Sequence, residues 1–101
     1  MPRPVKLSKT KLARKLSKLP GWKIKGGKLH REYVFVDFVA AFGFMTSAAL
    51  VAQTMDHHPE WFNVWNRVII DLITHDAKGI TRLDLELAQS LDALALRQPM
   101  K

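Results

Sequence analysis

The sequence contains no cysteine. That excludes disulfides, thiolate nucleophiles and Cys-based zinc sites, and it fits a reducing compartment such as the cytoplasm. Acidic residues are absent from residues 1–31, which carry 11 Lys/Arg, whereas residues 32–101 carry 5 Lys/Arg against 9 Asp/Glu. The net charge of +7 therefore comes from a basic end on an acidic body. Such an end is compatible with nucleic-acid or membrane contact, but a solvated helix face that aids solubility is the preferred reading, and nucleic acid is not expected as a partner. The end shares its composition with transit peptides, yet it runs directly into the first helix and strand, and no apolar segment of a secretory signal follows Met1. Long hydrophobic runs are also lacking. Only Phe38 to Met55 is free of charge, and Gly43, Thr46, Ser47, Gln53, Thr54 and five alanines make it weakly apolar. It is expected to be a buried helix of a soluble domain, not a membrane span. Dinucleotide, phosphate-loop and nucleophile-elbow motifs are missing, as is the H-E-x-x-H zinc motif.

What is present suits a single domain spanning 1–101, with its core at about 8–97. The length of 101 residues and an apolar share of 48% are enough for one hydrophobic core without staples. Ser8 to Leu19 reads as a helix with Ser8 as N-cap, Leu12, Leu16 and Leu19 as its apolar stripe, and Pro20-Gly21 as its stop. Gly21 to Val36 reads as a β-hairpin turning at Gly26-Gly27, with Leu29, Arg31, Tyr33 and Phe35 on one face of the return strand. Asp37 can cap a long helix running to His57 or His58, where Pro59 disfavours its continuation. Its expected core face is Phe38, Ala41, Phe42, Met45, Ala49, Ala52 and Met55. Trp61 to Trp65 and Arg67 to Thr74 read as a second hairpin around Asn66. The faces Val68, Ile70, Leu72 and Ile69, Asp71, Ile73, His75 are read as both largely apolar, which predicts a sheet covered on both sides or placed in an oligomer. Asp76 to Ile80 is a loop with Gly79 as its flexible point. Thr81 caps a last helix, with Asp84 in a capping box and Leu83, Leu87, Leu91 and Leu94 as the stripe. The tail from Gln98 to Lys101 is expected to fray. The order α-β-β-α-β-β-α describes an α+β fold, a four-stranded antiparallel sheet with three helices packed on one face.

Chemistry concentrates in the histidines. His57 and His58 stand in Asp56-His57-His58-Pro59, and His75 in Thr74-His75-Asp76, while His30 sits alone in a charged strand and reads as a surface residue. Neighbours near a helix end point about 100° apart, so His57 and His58 cannot share a direction. If the end of the last strand meets the end of the long helix, three imidazoles converge, and imidazole titrates near neutral pH, which suits proton transfer. Two alternatives stay open on spacing alone: histidines that only satisfy structure, and a zinc site of three imidazoles and a water. Trp61, Phe62 and Trp65 beside them can stack on a flat ring or simply pack the sheet.

The run Asp56-His57-His58-Pro59-Glu60-Trp61-Phe62-Asn63-Val64-Trp65-Asn66, followed by Thr74-His75 and Gly79, closely resembles the signature of the pterin-4a-carbinolamine dehydratase family. Ala41-Phe42-Gly43-Phe44-Met45-Thr46 and Leu19-Pro20-Gly21-Trp22 resemble two further segments of that family, and the likeness covers roughly residues 8–97. The resemblance implies a four-stranded antiparallel sheet with three helices on one side. It implies dehydration of 4a-hydroxytetrahydrobiopterin to the quinonoid dihydropterin, in recycling after aromatic amino acid hydroxylases, with a pterin as substrate and no metal or organic cofactor. By position it makes His57, His58 and His75 the active-site histidines, brings Asp56, Ile73, Thr74 and Asp76 to the substrate, and sets Trp22 near the pterin. It also implies a cytoplasmic homo-oligomer, dimer or tetramer. Departures from the pattern are Gln53, where some relatives carry glutamate, Ile73, where Ser is common, and Asp76, where Glu is common. A neutral amide at Gln53 lacks the charge with which a carboxylate one turn earlier would act on His57. A different class of function is open too, because some members of the family serve as dimerisation cofactors of a homeodomain transcription factor.

Overall fold

Residues 4–101 are described by a computed structural model. Gly26 and Gly27 both take positive φ, 59° and 77°, the conformation that a two-residue hairpin turn requires and that glycine adopts at little cost. They join β1 (Lys23–Lys25) to β2 (Lys28–Val34). The second hairpin, β3 (Glu60–Val64) and β4 (Arg67–Leu72), turns through Trp65 and Asn66 without glycine. Trp65 therefore carries a positive φ of 48°, a strained state for a bulky side chain. Asn66 compensates: its buried Nδ2 donates to the Phe35 carbonyl at 3.0 Å, and Phe35 N donates back to the Asn66 carbonyl at 2.8 Å. All pairings are antiparallel, and the strand order is β1-β2-β4-β3.

Three helices complete the expected α-β-β-α-β-β-α order: α1 (Lys9–Leu16), α2 (Phe38–Met55) and α3 (Arg82–Ala95). Their caps follow the sequence reading. Ser8 Oγ accepts from Lys11 N at 3.2 Å, Asp37 Oδ1 accepts from Ala40 N at 2.8 Å, and Thr81 and Asp84 form a capping box. The α-helix of α1 ends at Leu16, before the expected Leu19, because Lys18 and Leu19 turn back with tighter bonds to the Lys15 and Leu16 carbonyls.

The core lies between the sheet and the helices. Leu29, Tyr33, Phe35, Val68, Ile70 and Leu72 meet Phe44, Leu87 and Leu91, with Leu12 and Leu16 of α1 partly buried against them. The Phe44 ring stands 4.9 Å from Tyr33 and 5.1 Å from Phe35 between centroids. α2 turns inward a side that overlaps the expected one only in part: Ala41 and Ala52 are buried and Met45 and Met55, half-buried, pack against the core, whereas Phe38, Phe42 and Ala49 are exposed. Ala40, Phe44 and Ala48 complete the buried side. This helix is apolar nearly all round, so periodicity could not select its face. Close packing selected the alanine side, and α2 is less buried than a core helix would be. By length and composition it could cross a membrane, but its inner face belongs to this domain's core.

Three further expectations are corrected. The sheet face away from the core is not largely apolar: Lys28–Glu60 (2.6 Å), His30–Asp71 (2.8 Å) and Arg67–Glu32 (2.6 Å) pair across it, alongside exposed Phe62 and Val64. His30 is thus a cross-strand partner, not an isolated surface residue. Residues 99–101 are tied rather than frayed, since Val36 N donates to the Pro99 carbonyl at 2.9 Å and Lys101 N to the Val34 carbonyl at 3.2 Å.

Candidate active site

The site begins with how α2 stops. Asp56 adopts the left-handed conformation, with φ 49°. Its N–H donates to the Gln53 carbonyl and that of His57 to the Ala52 carbonyl, both at 3.1 Å. This pair of bonds closes the helix in a Schellman-type cap. The helix therefore ends at Met55, ahead of the boundary expected from Pro59. His57 and His58 lie in the connection that leads into β3, with His57 buried and His58 exposed.

The second wall comes from the end of β4. Ile73 and Thr74 leave the sheet, and a 3-10 turn spans His75–Ala77. Thr74 N donates to the Gly79 carbonyl at 3.0 Å, closing the loop. The left-handed residue here is Lys78, φ 57°, not Gly79. A Cβ at position 79 would stand 2.7 Å from the Lys6 side chain and would displace it.

The two segments meet around a cavity of about 750 Å³. Asp56, His57, His58, Ile73, Thr74, His75 and Asp76 all line it, together with Glu60 and Arg82. Seven of the residues singled out from the sequence thus converge. Two do not reach the lining. Trp22 is buried elsewhere, where its Nε1 donates to Asp92 Oδ1 at 3.0 Å. The same carboxylate oxygen accepts from Arg31 at 3.0 Å and from the Tyr33 hydroxyl. Gln53, exposed on α2, does not line the cavity and reaches it only through His58.

Each histidine meets a different oxygen. His57 Nε2 donates to Asp84 Oδ1 at 2.6 Å, and Asp84 is wholly buried. His58 Nε2 donates to Gln53 Oε1 at 3.0 Å. His75 Nε2 lies 3.3 Å from Glu60 Oε2. Gln53 thus serves His58, and the charge that acts on His57 comes from Asp84. A carboxylate can only accept, so the His57 proton is on Nε2 and Nδ1 keeps a free lone pair in the neutral ring. Asp84 is itself fixed at its other oxygen, where Oδ2 accepts from Thr81 N and from Thr74 Oγ1, each at 2.9 Å. The Thr74 proton is then committed, so the Thr81 hydroxyl donates to Thr74 Oγ1 across 2.7 Å.

Asp84 and Glu60 were not singled out as site residues from the sequence. Asp84 was visible as the third residue of a capping box, and that local role hid its reach across the fold to His57. Glu60 Oε1 accepts from Lys28 at 2.6 Å, and this bond holds the Lys28 ammonium above the ordinary lysine range. Glu60 so ties the rim of the cavity to β2. An array of imidazoles, each oriented by an oxygen at its far nitrogen, can accept and deliver protons around a ligand in the cavity. Among the described residues no group of three or more His and carboxylate side chains is arranged to hold a metal ion.

The family model described as pterin 4 alpha carbinolamine dehydratase matches residues 5–94. A relative from Solibacter usitatus, provisionally named pterin-4-alpha-carbinolamine dehydratase, is 60% identical over 90 residues, covering 89% of this chain and 95% of its own. One from Rhizobium johnstonii with the same provisional name is 46% identical over 94 residues, covering 91% and 93%. A crystal structure of a transcriptional coactivator/pterin dehydratase from Brucella melitensis superimposes with a TM-score of 0.86 at 43% identity, covering 89% of this chain and 98% of that one.

Proposed function

From the premise that the chain belongs to the pterin 4 alpha carbinolamine dehydratase family, we propose that it dehydrates 4a-hydroxytetrahydrobiopterin to quinonoid dihydrobiopterin and water. The reaction needs a base for the N5 proton and an acid for the departing 4a-hydroxyl. The C4a–O bond breaks as the N5 electron pair forms the C4a=N5 bond. We assign the base to His57 through its free Nδ1, with Asp84 stabilising the imidazolium that forms. His75 is the acid, and it delivers a proton to the leaving oxygen while Glu60 faces its other nitrogen. His58 orients and polarises the pterin ring. After release of water and product, solvent returns a proton to His75 and removes one from His57. Asp56, Ile73, Thr74 and Asp76 form the surround of the ring, and the chemistry needs no metal or organic cofactor.

The observation that carries this reading is the convergence of His57, His58 and His75 on one cavity. Well-placed acid and base groups each contribute roughly 10²–10⁴-fold. His57→Ala and His75→Ala should each lower the dehydration rate of synthetic 4a-hydroxytetrahydropterin by at least about 100-fold, with His58→Ala acting mainly on KM. Undiminished turnover in either of the first two variants would sink the assignment.

The same reading assigns the protein to tetrahydrobiopterin recycling in the cytoplasm, downstream of an aromatic amino acid hydroxylase. It also assigns a homo-oligomer, supported by the exposed apolar residues Phe38, Val39, Phe42 and Leu50 of α2. A surface without charge offers no electrostatic selectivity, and a second copy supplies the matching face through a two-fold contact. The coactivator description of the Brucella protein supports a protein-binding role as the alternative. Dehydration no faster than the spontaneous reaction would favour it.

A further inference from the structure

A second hollow, of about 690 Å³, lies between the N-terminal segment, α1 and α3. Lys11 and Lys15 line it from one side of α1 and Lys18 from the turn that follows, spaced four and three residues apart. Leu19 and Leu85 supply apolar surface beneath them. The chain that forms its edge is anchored, since Leu7 N donates to the Ile80 carbonyl at 2.9 Å.

Charge in this hollow is unbalanced. Some cations outside it are paired, Lys28 with Glu60, Arg31 with Asp92 and Arg67 with Glu32. Among the described residues no ion pair joins Lys11, Lys15 or Lys18 to a carboxylate. The one acid lining the hollow, Glu86, is engaged by Arg82 at 3.4 Å. Lys9 and Arg14 do not line it, so Lys11 and Lys15 of the helix, with Lys18 just after it, are the part of this basic segment that faces a concavity. Like charges gathered over a concave, partly apolar wall focus a field that attracts anions.

The hollow also adjoins the histidine cavity. Pro4 and Arg82 line both. A ligand seated among the histidines could extend past Arg82 and reach the three lysines without leaving the surface. A pterin ring has no charge to offer them, but a substituent on it can. Resting on the dehydratase reading, we infer that this cleft receives a multiply anionic tail, of carboxylates or phosphates, carried on the side chain of the pterin substrate.

The test compares three synthetic 4a-hydroxytetrahydropterins: one with a neutral hydroxylated side chain, one with an oligoglutamate tail and one with a phosphorylated side chain. Each is assayed with the wild-type protein and with Lys11→Ala/Lys15→Ala/Lys18→Ala. Three exposed charge contacts together should give roughly tenfold in affinity. The wild type should therefore show a KM about tenfold lower for a tailed substrate, erased by the triple substitution or by added salt, with kcat and the neutral substrate unaffected. The tail that shows the gain, carboxylate or phosphate, identifies the source of the anion. Equal KM values for all three substrates, or a gain that survives the triple substitution, would overturn the inference while leaving the dehydratase reading intact. Should even the neutral substrate turn over only at the spontaneous rate, the dehydratase reading fails instead. Calorimetric binding of tailed against neutral tetrahydropterins then decides this inference by the same tenfold criterion. Circular dichroism of the triple variant checks that α1 is retained.

Discussion

Replacing Asp84 by asparagine separates the structural and chemical duties of one buried carboxylate. Its two oxygens do different things: Oδ2 accepts from Thr81 N and Thr74 Oγ1, and Oδ1 accepts from His57 Nε2. An asparagine that keeps its carbonyl at the Oδ2 position preserves the capping box and the Thr74 bond. Its Nδ2 then faces His57 Nε2, and two donors cannot share that contact. His57 must move its proton to Nδ1, which presents a donor where the reaction needs an acceptor. Exchanging charged for neutral acceptors should cost about 1–2 kcal/mol of stability. Losing the base should cost roughly 10²-fold or more in kcat. Urea unfolding measures the first, steady-state dehydration the second, and nitrogen NMR of the imidazoles reports the tautomer directly. Asp84→Ala serves as the contrast, because it also opens the capping box and leaves buried donors without partners, for about 2–4 kcal/mol. A folded Asp84→Asn protein that keeps Nε2 protonated, or turns over within about threefold of wild type, would refute the role given to the His57–Asp84 pair.

Two further outcomes are expected. Burial, reinforced by the Asp92 carboxylate, raises the Tyr33 phenol far above its ordinary range. The unfolded chain ionises its tyrosine near about pH 10 while the native one retains the proton, so this contribution is intact below pH 10 and stability declines above it, by up to about 1.4 kcal/mol per pH unit. Tyr33→Phe should flatten that alkaline slope. Tyr33 is the only tyrosine, so native phenolate absorbance appearing near pH 10 would refute the assignment. On α2, the exposed Phe42 ring lies 5.7 Å from that of Phe38, and Phe42→Asp would put a charge in the middle of the apolar face. Sedimentation should show a shift toward monomer, and an unchanged assembly would remove this face from the interface.

Local sequence determined a good deal of this protein. Gly26-Gly27, Ser8, Asp37 and Thr81 set turns and caps through bonds between near neighbours, and the alternation in β2 and β4 set which side chains enter the core. His57, His58 and His75 could be identified because a motif of fixed spacing surrounds them. Tertiary structure decided the rest. The inward face of α2 followed from which side packs, since an all-apolar helix carries no preference of its own. Helix α2 ended where Asp56 could close the Schellman cap, not where Pro59 forbade more helix. Trp22 went to Asp92 instead of the cavity lining, and Gln53 to His58 instead of His57, because side-chain direction depends on contacts many residues away. Asp84 shows the division most directly. Its bond to Thr81 spans three residues and could be read from the chain, whereas its bond to His57 spans 27 and exists only because the start of α3 is packed against the turn that follows α2.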